Sequence, residues 1–163
     1  MAITMSPQEI TAAIKAKFPE AVLDAKLEGV IDPFLKIAPA AILEVSRFLH
    51  ESPELSFDYL MCLSGMDNGK GMLGVVYHLA SMEKKHKIVL KVEVPVATPA
   101  VPSVESIWRA ANWHEREAFD MIGITFTGHP DLRRILLPDD WEGHPLRKDY
   151  KVPEYYQGMK VPY

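Results

Sequence analysis

Ile10, Ala13, Ile14 and Phe18 recur at three- and four-residue spacings, which puts them on one face of a helix. Ser6-Pro7-Gln8-Glu9 opens that helix: Ser6 can cap it, Pro7 fits its first turn, and Glu9 stands where a capping box needs it. Pro19 ends it. The period then shortens. "AVLDAKLEG" and "PFLKIA" read as short strands around a turn from Gly29 to Pro33. Pro39 starts a second helix with Ile42, Val45, Phe48 and Leu49 on its inner face. Residues 56–66 are apolar and fit either a helix or a strand.

The next pair is clearer. "MLGVVYHLA" and "HKIVLKVEV" flank a polar turn, and Ile88, Leu90, Val92 and Val94 alternate with polar or cationic positions. Such alternation predicts a sheet with one face covered and the other wet. The Pro-rich "PVATPAVPS" leads to Ser103, a candidate N-cap for a helix over roughly 104–122 that presents Ile107, Trp108, Ala111, Phe119 and Ile122 and stops at Gly123. Beyond Tyr150 no period survives. The expected fold is α+β: a mostly antiparallel sheet with helices packed on it (residues 1–150) and an extended C-terminal tail (151–163). Pro153 and Pro162 keep that tail from regular structure, and Tyr150, Tyr155, Tyr156 and Tyr163 suit an interface, so the tail is expected to order on a partner.

Composition narrows the function. A chain of 163 residues, 48% apolar and 25% charged, can bury one real core. No apolar run approaches the ~20 residues that cross a bilayer, and the N-terminus lacks the layout of a secretory signal. A reducing compartment is therefore expected, and the single cysteine, Cys62, agrees. One thiol supplies neither a disulfide nor the usual ligand set of an iron–sulfur cluster, and the apolar stretch "FDYLMCLSG" predicts it as a packed core residue. A net charge of −4 argues against nucleic acid as a partner.

Charge is concentrated near the C-terminus. Residues 114–150 hold eight acids and five bases, with four of the six arginines but only one of twelve lysines. Arginine's planar fork suits paired carboxylates in buried or interface settings. The same window repeats Gly-His-Pro, at Gly128-His129-Pro130 and Gly143-His144-Pro145, each followed by Leu-Arg and a second cation. His114, His129 and His144 could ligate a metal, but they lack the i,i+3 or i,i+4 spacing of ligands on one helix. A His before Pro leaves the α region, so both repeats read as rigid turns. Glu115, Glu117 and Asp120 could do acid–base work; the favoured reading has them receive the arginines of the window. No nucleophile elbow is present, and "SGMDNGKGMLG" lacks phosphate-loop spacing, so it reads as a hairpin turn.

"WHEREAFDMIGITFTGHPDLRRILLPDDWEGHPLRKDY" closely resembles the signature of the 30-kDa-type subunit family (the C subunit) of proton-translocating NADH:quinone oxidoreductase, respiratory complex I. Trp113, Glu115, Arg116, Glu117, Phe119, Asp120 and Met121 meet its first block; Gly128, His129, Pro130, Leu132, Arg133 and Arg134 meet its second. Gly143, His144, Pro145, Leu146, Arg147, Lys148, Asp149 and Tyr150 meet its third. Ile122 and the pair Lys151-Val152 depart from it. The resemblance implies a peripheral-arm subunit without catalytic, cofactor or metal residues of its own. Flavin, iron–sulfur clusters and quinone are expected on partner subunits. It further implies a place beside the quinone-site (49-kDa-type) subunit, on the cytoplasmic side of a bacterial plasma membrane or the matrix side of an organelle. The Gly-His-Pro turns would aim Arg133, Arg134, Arg147 and Lys148 at carboxylates of this chain and a neighbour. The alternatives are the equivalent subunit of a membrane-bound hydrogenase or ferredoxin-fed quinone reductase, and, more remotely, a stand-alone enzyme using Glu115, Glu117, His129 and His144.

Overall fold

The computed structural model describes residues 4–161; the expectations for Pro162 and Tyr163 lie outside them. Helix α1 (Pro7–Lys17) opens with the predicted capping box, in which Ser6 and Glu9 satisfy each other's backbone N–H groups at 3.2 and 2.7 Å. Two short antiparallel strands follow, β1 (Val22–Lys26) and β2 (Phe34–Ile37). A single 3₁₀ turn at Pro39–Ala41 leads into α2 (Ile42–Glu51), which buries Ile42, Val45 and Leu49. The ambiguous stretch resolves as strand β3 (Tyr59–Gly69), paired antiparallel with β4 (Met72–Ala80). β4 pairs in turn with β5 (Lys87–Pro95), and the sheet order is β1-β2-β5-β4-β3. Only the β2–β5 pairing in this sheet is parallel.

Alternation decides which face is covered. Leu73, Val75, Tyr77 and Leu79 of β4 stand opposite Val94, Val92, Leu90 and Ile88 of β5, and all eight join the helices in one buried core. The opposite face carries the Lys36–Glu93 ion pair, a hydrogen bond from Asn68 to Glu93 and Lys91 over the Phe34 ring. Val76 and Val89 are buried on that wetter face. The hairpin turn read in "SGMDNGKGMLG" is the tight link Gly69-Lys70-Gly71 between β3 and β4, all three with positive φ, where glycine relieves the strain.

Three expectations are corrected. The helix over 104–122 begins only at Ala111: α3 spans Ala111–Ile122, and the residues before it form turns. Ser103 is not its N-cap, because its hydroxyl is engaged with Glu115 and with the Glu105 N–H. Ahead of those turns, β6 (Ala100–Pro102) runs parallel to β7 (Thr125–Thr127). Gly123 does end α3, at φ 85°. Cys62 is not a core thiol. A bulge between Leu60 and Cys62 reverses the parity of β3, so Leu63 turns inward opposite Tyr77 while Cys62 lies opposite His78, half-buried.

The tail is not extended throughout. Tyr155–Tyr156 (β8) and Met159–Lys160 (β9) pair as a hairpin. Its turn residues, Gln157 and Gly158, have φ 49° and 78°, the left-handed pair that a two-residue hairpin loop with matching twist requires.

Helix α3 lies directly on β3. A Cβ on Gly65 would stand 2.9 Å from the Ala118 Cβ and 3.4 Å from Ile122, inside contact distance. Gly65→Val is therefore expected to lower stability by ~1–3 kcal/mol, the usual cost of overpacking. A thermal melt checks it; an unchanged midpoint would show that the helix can ride outward freely.

Candidate functional site

The signature residues converge on the C-terminal end of α3. There the last carbonyls of the helix have no partner within it and must find one elsewhere. Phe119 C=O takes the Gly123 N–H at 2.9 Å and Met121 C=O takes the Leu146 N–H at 3.0 Å. Asp120 C=O accepts Nδ1–H of His144 at 3.0 Å and Nη1 of Arg134 at 3.3 Å. The second Gly-His-Pro turn is thus a cap folded back over the end of the helix. It fits because Gly123 has no side chain: a Cβ there would sit 2.6 Å from the His144 ring.

The Asp120 carboxylate is fully buried and fully used. One oxygen accepts Arg134 Nη1 at 2.6 Å. The other accepts the backbone N–H groups of Ile135, Leu136 and Leu137 at 2.8–3.0 Å. Burial alone would push its pKa up. The Leu137 N–H, the Arg134 guanidinium and the other two N–H groups outweigh burial and hold it below the ordinary aspartate value. Arg134 also reaches the carbonyls of Trp141 and Gly143, at 2.8 and 3.1 Å. One ion pair therefore ties the helix to both loops that the signature spans.

The first Gly-His-Pro turn holds the other end. The Nδ1 atom of His129 accepts the Asp131 N–H at 3.0 Å, so Nε2 carries the proton and donates to Asn112 C=O at 3.2 Å. Both turns place their glycine at positive φ, 84° at Gly128 and 83° at Gly143. The remaining cations divide. Arg133 pairs with Asp131 and Arg147 with Asp149, each within the loop. Arg116 is buried and, among the described residues, pairs with no carboxylate: it spans the carbonyls of Arg133 and Arg134, both at 3.3 Å. Lys148 donates its backbone N–H to Asp67 at 2.8 Å, the main reason that Asp67 titrates below its ordinary range. Leu132 packs half-buried against the core, Pro145 is half-buried, and Pro130 is exposed.

Of the three acids read as arginine acceptors, only Asp120 is one. Glu117 and Trp113 share an exposed side of α3, with the Arg116 guanidinium 5.5 Å from the Trp113 ring. Glu115 is fully buried and accepts the Ser103 hydroxyl at 2.6 Å and the Val104 N–H at 2.8 Å. Burial lifts its pKa to about 7 against the pull of those two donors.

The acid–base set is not brought together. Asn112 and Asp120, where His129 and His144 attach, are eight residues apart, ~12 Å along a helix. Glu115 is sealed in the core. Among the described residues no three His, Cys, Asp or Glu side chains group as metal ligands.

The tail hairpin is held by the loop that follows Pro138. Trp141 packs on Tyr156 with ring centroids 4.9 Å apart, and the Tyr156 hydroxyl donates to Asp140 at 2.9 Å. Trp141 also donates its indole N–H to the Tyr150 hydroxyl at 3.2 Å.

Residues 35–156 match the family model described as respiratory-chain NADH dehydrogenase, 30 Kd subunit. This chain belongs to that family. It is 52% identical over 151 residues to the C subunit of NADH-quinone oxidoreductase from Chloroherpeton thalassium, covering 92% of this chain and 63% of that relative. The chain thus spans less than two thirds of that relative's length. The C subunit of the Roseiflexus castenholzii NADH-quinone oxidoreductase is 48% identical over 143 residues, which cover 86% of this chain and 81% of its own. Two solved structures share the fold. A trypsin-resistant fragment of Nqo5 superposes with a TM-score of 0.64 at 26% identity, over 78% of this chain and all of the fragment. A chain of the membrane-bound sulfane sulfur reductase, an archaeal respiratory membrane complex, gives 0.72 at 26% identity, over 88% and 85%. Among the described residues no helix is long and apolar enough to cross a membrane.

Proposed function

We propose that this chain is a structural subunit of the peripheral arm of a proton-translocating NADH:quinone oxidoreductase, seated against the quinone-site (49-kDa-type) subunit on the cytoplasmic face of the membrane. The observation that carries the reading is how the signature residues are used. Asp120, Arg134, Arg116, His129 and His144, buried or half-buried polar residues of the signature, are engaged in tying α3 to the two loops, and the buried Glu115 is taken up by Ser103 and Val104. What they build is a shape. The exposed apolar side chains that this shape carries, Leu136, Leu146, Val152 and Tyr155, are suited to contact another chain. In this reading flavin, iron–sulfur clusters and quinone are held by partner subunits, and this chain sustains NADH-to-quinone electron transfer by keeping the quinone-reducing module together.

Affinity purification of the tagged chain from its own host tests this. Co-purification with flavin- and iron–sulfur-bearing subunits and NADH-dependent quinone reduction supports it; recovery of the chain alone would overturn it. The likeness to the sulfane sulfur reductase chain favours one second reading, an equivalent subunit in a different respiratory membrane complex. Reduction of the same complex by ferredoxin but not by NADH would select it.

The tail bears on the same question. Its anchorage rests on exposed groups, Asp140 and Gln157 among them, and Lys148 and Lys151 are exposed. Limited trypsin digestion of the isolated chain is expected to remove residues beyond Lys151 and to leave the α+β core, and to spare the tail in the assembled complex. Equal resistance in both states would mean that the Trp141–Tyr156 packing suffices on its own.

A further inference from the structure

We propose that the groove between the free edge of β3 and helix α3 receives an extended strand from a neighbouring subunit, which joins the sheet through its backbone and turns an apolar side chain toward Met121 and Leu146 and a cation toward Glu117. The inference rests on the reading of this chain as a subunit of a larger complex.

β3 is the terminal strand of the five-stranded sheet and its longest, at 11 residues. From Tyr59 to Met66 it holds no charge and no proline, the devices that usually protect an edge. Met61, Ser64 and Met66 lie along it, with Met61 and Met66 48% and 44% exposed. An edge of this kind presents unpaired N–H and C=O groups that another extended chain can match.

The edge does not stand alone. Beside it lies α3, packed on β3, and the two line a cavity of about 240 Å³. Gly65 and Ala118 form its floor, where the missing side chain at Gly65 lets helix and strand approach. His114, Glu117 and Met121 follow one another along its helical wall. Leu146, 60% exposed, closes one end and is pinned there by its N–H to the Met121 carbonyl. A strand edge flanked by a helix is the arrangement in which peptide-binding domains take up an extended ligand as an added strand.

Charge selects the occupant. Glu117 is exposed, and no ion pair of the described residues uses it, in a window where five of the other seven carboxylates, Glu115, Asp120, Asp131, Asp140 and Asp149, have a donor. A lysine or arginine on the incoming strand would complete it, with its neighbour in the strand on the apolar wall.

Hydrogen exchange read by mass spectrometry tests the proposal on the isolated chain and on the purified complex. The peptide covering residues 59–66 is expected to exchange at least about tenfold more slowly in the complex, because newly paired edge amides must open before exchanging. Glu117→Lys and Ser64→Lys, both at exposed positions, should leave the melting midpoint of the isolated chain unchanged and lower the yield of assembled complex severalfold. Equal exchange of 59–66 in both states, with protection confined to 136–161, would overturn the groove while leaving the subunit reading intact. Protection of 59–66 in the isolated chain that grows with its own concentration would also overturn it, by making the occupant a second copy. Failure of the wild-type chain to enter any complex would remove the subunit reading, and this inference with it.

Discussion

Asp120→Ala is expected to cost about 3–5 kcal/mol of folding stability, among the largest effects available to one substitution in this chain. The change strips the partner from a buried guanidinium and from three consecutive backbone N–H groups at once. Arg134→Ala should cost a similar amount, since it leaves a fully buried carboxylate without its cation. The double variant should lose clearly less than the sum, because each single variant leaves an uncompensated charge that the double does not have. Urea denaturation of the four proteins at neutral pH measures this. Additive losses would show that the pair is not coupled and that the loops are held by something else. The sign in acid follows from the lowered pKa of Asp120. Its contribution is present above the unfolded aspartate value of 3.8 and is lost as pH falls through the lower folded value.

Glu115 acts in the opposite direction. Its carboxyl titrates at about 7 in the folded chain and at 4.5 in the reference state. Between those values the native protein holds a proton that the unfolded chain has released. Stability from this group is therefore full below pH 4.5 and falls as pH rises to 7. At ~1.4 kcal/mol per unit the loss is roughly 3 kcal/mol. Glu115→Gln keeps the shape and an acceptor for the Val104 N–H without the ionisation. The stability of the wild type relative to Glu115→Gln is expected to drop by that amount between pH 5 and pH 8. A pH-independent difference would mean that Glu115 is charged in the fold, with a donor other than Ser103 and Val104.

The two carboxylates show where sequence stops informing. Helical spacing puts Glu115 and Asp120 on α3, and it cannot say what faces them. Asp120 meets Arg134 because two Gly-His-Pro turns fold the chain back. Glu115 meets Ser103 because the residues before α3 coil over its first turns, an approach that no local pattern encodes. Arg116 was legible as buried-type chemistry, but its partners are carbonyls of Arg133 and Arg134, which any sequence would offer.

The sheet was easier, because alternation in "MLGVVYHLA" and "HKIVLKVEV" is a direct record of one buried face. It failed at Cys62 for a definite reason: one extra residue in the strand reverses every later side chain, and a bulge leaves no mark in composition. The tail hairpin escaped as well. Gln157-Gly158 is not a usual turn pair, and two-residue strands are too short to show a period. The Gly-His-Pro repeats, by contrast, announce their turns, since Gly supplies positive φ and Pro restrains its neighbour.

On this reading the protein contributes form to a quinone-reducing complex, and one measurement separates form from chemistry. The Arg134→Ala chain is expressed in place of the wild type, and two quantities are recorded: the amount of assembled complex, and NADH:quinone turnover per assembled complex. The amount is expected to fall severalfold while turnover per complex stays at the wild-type value. Normal assembly with turnover abolished would contradict this and give Arg134 a direct part in the reaction.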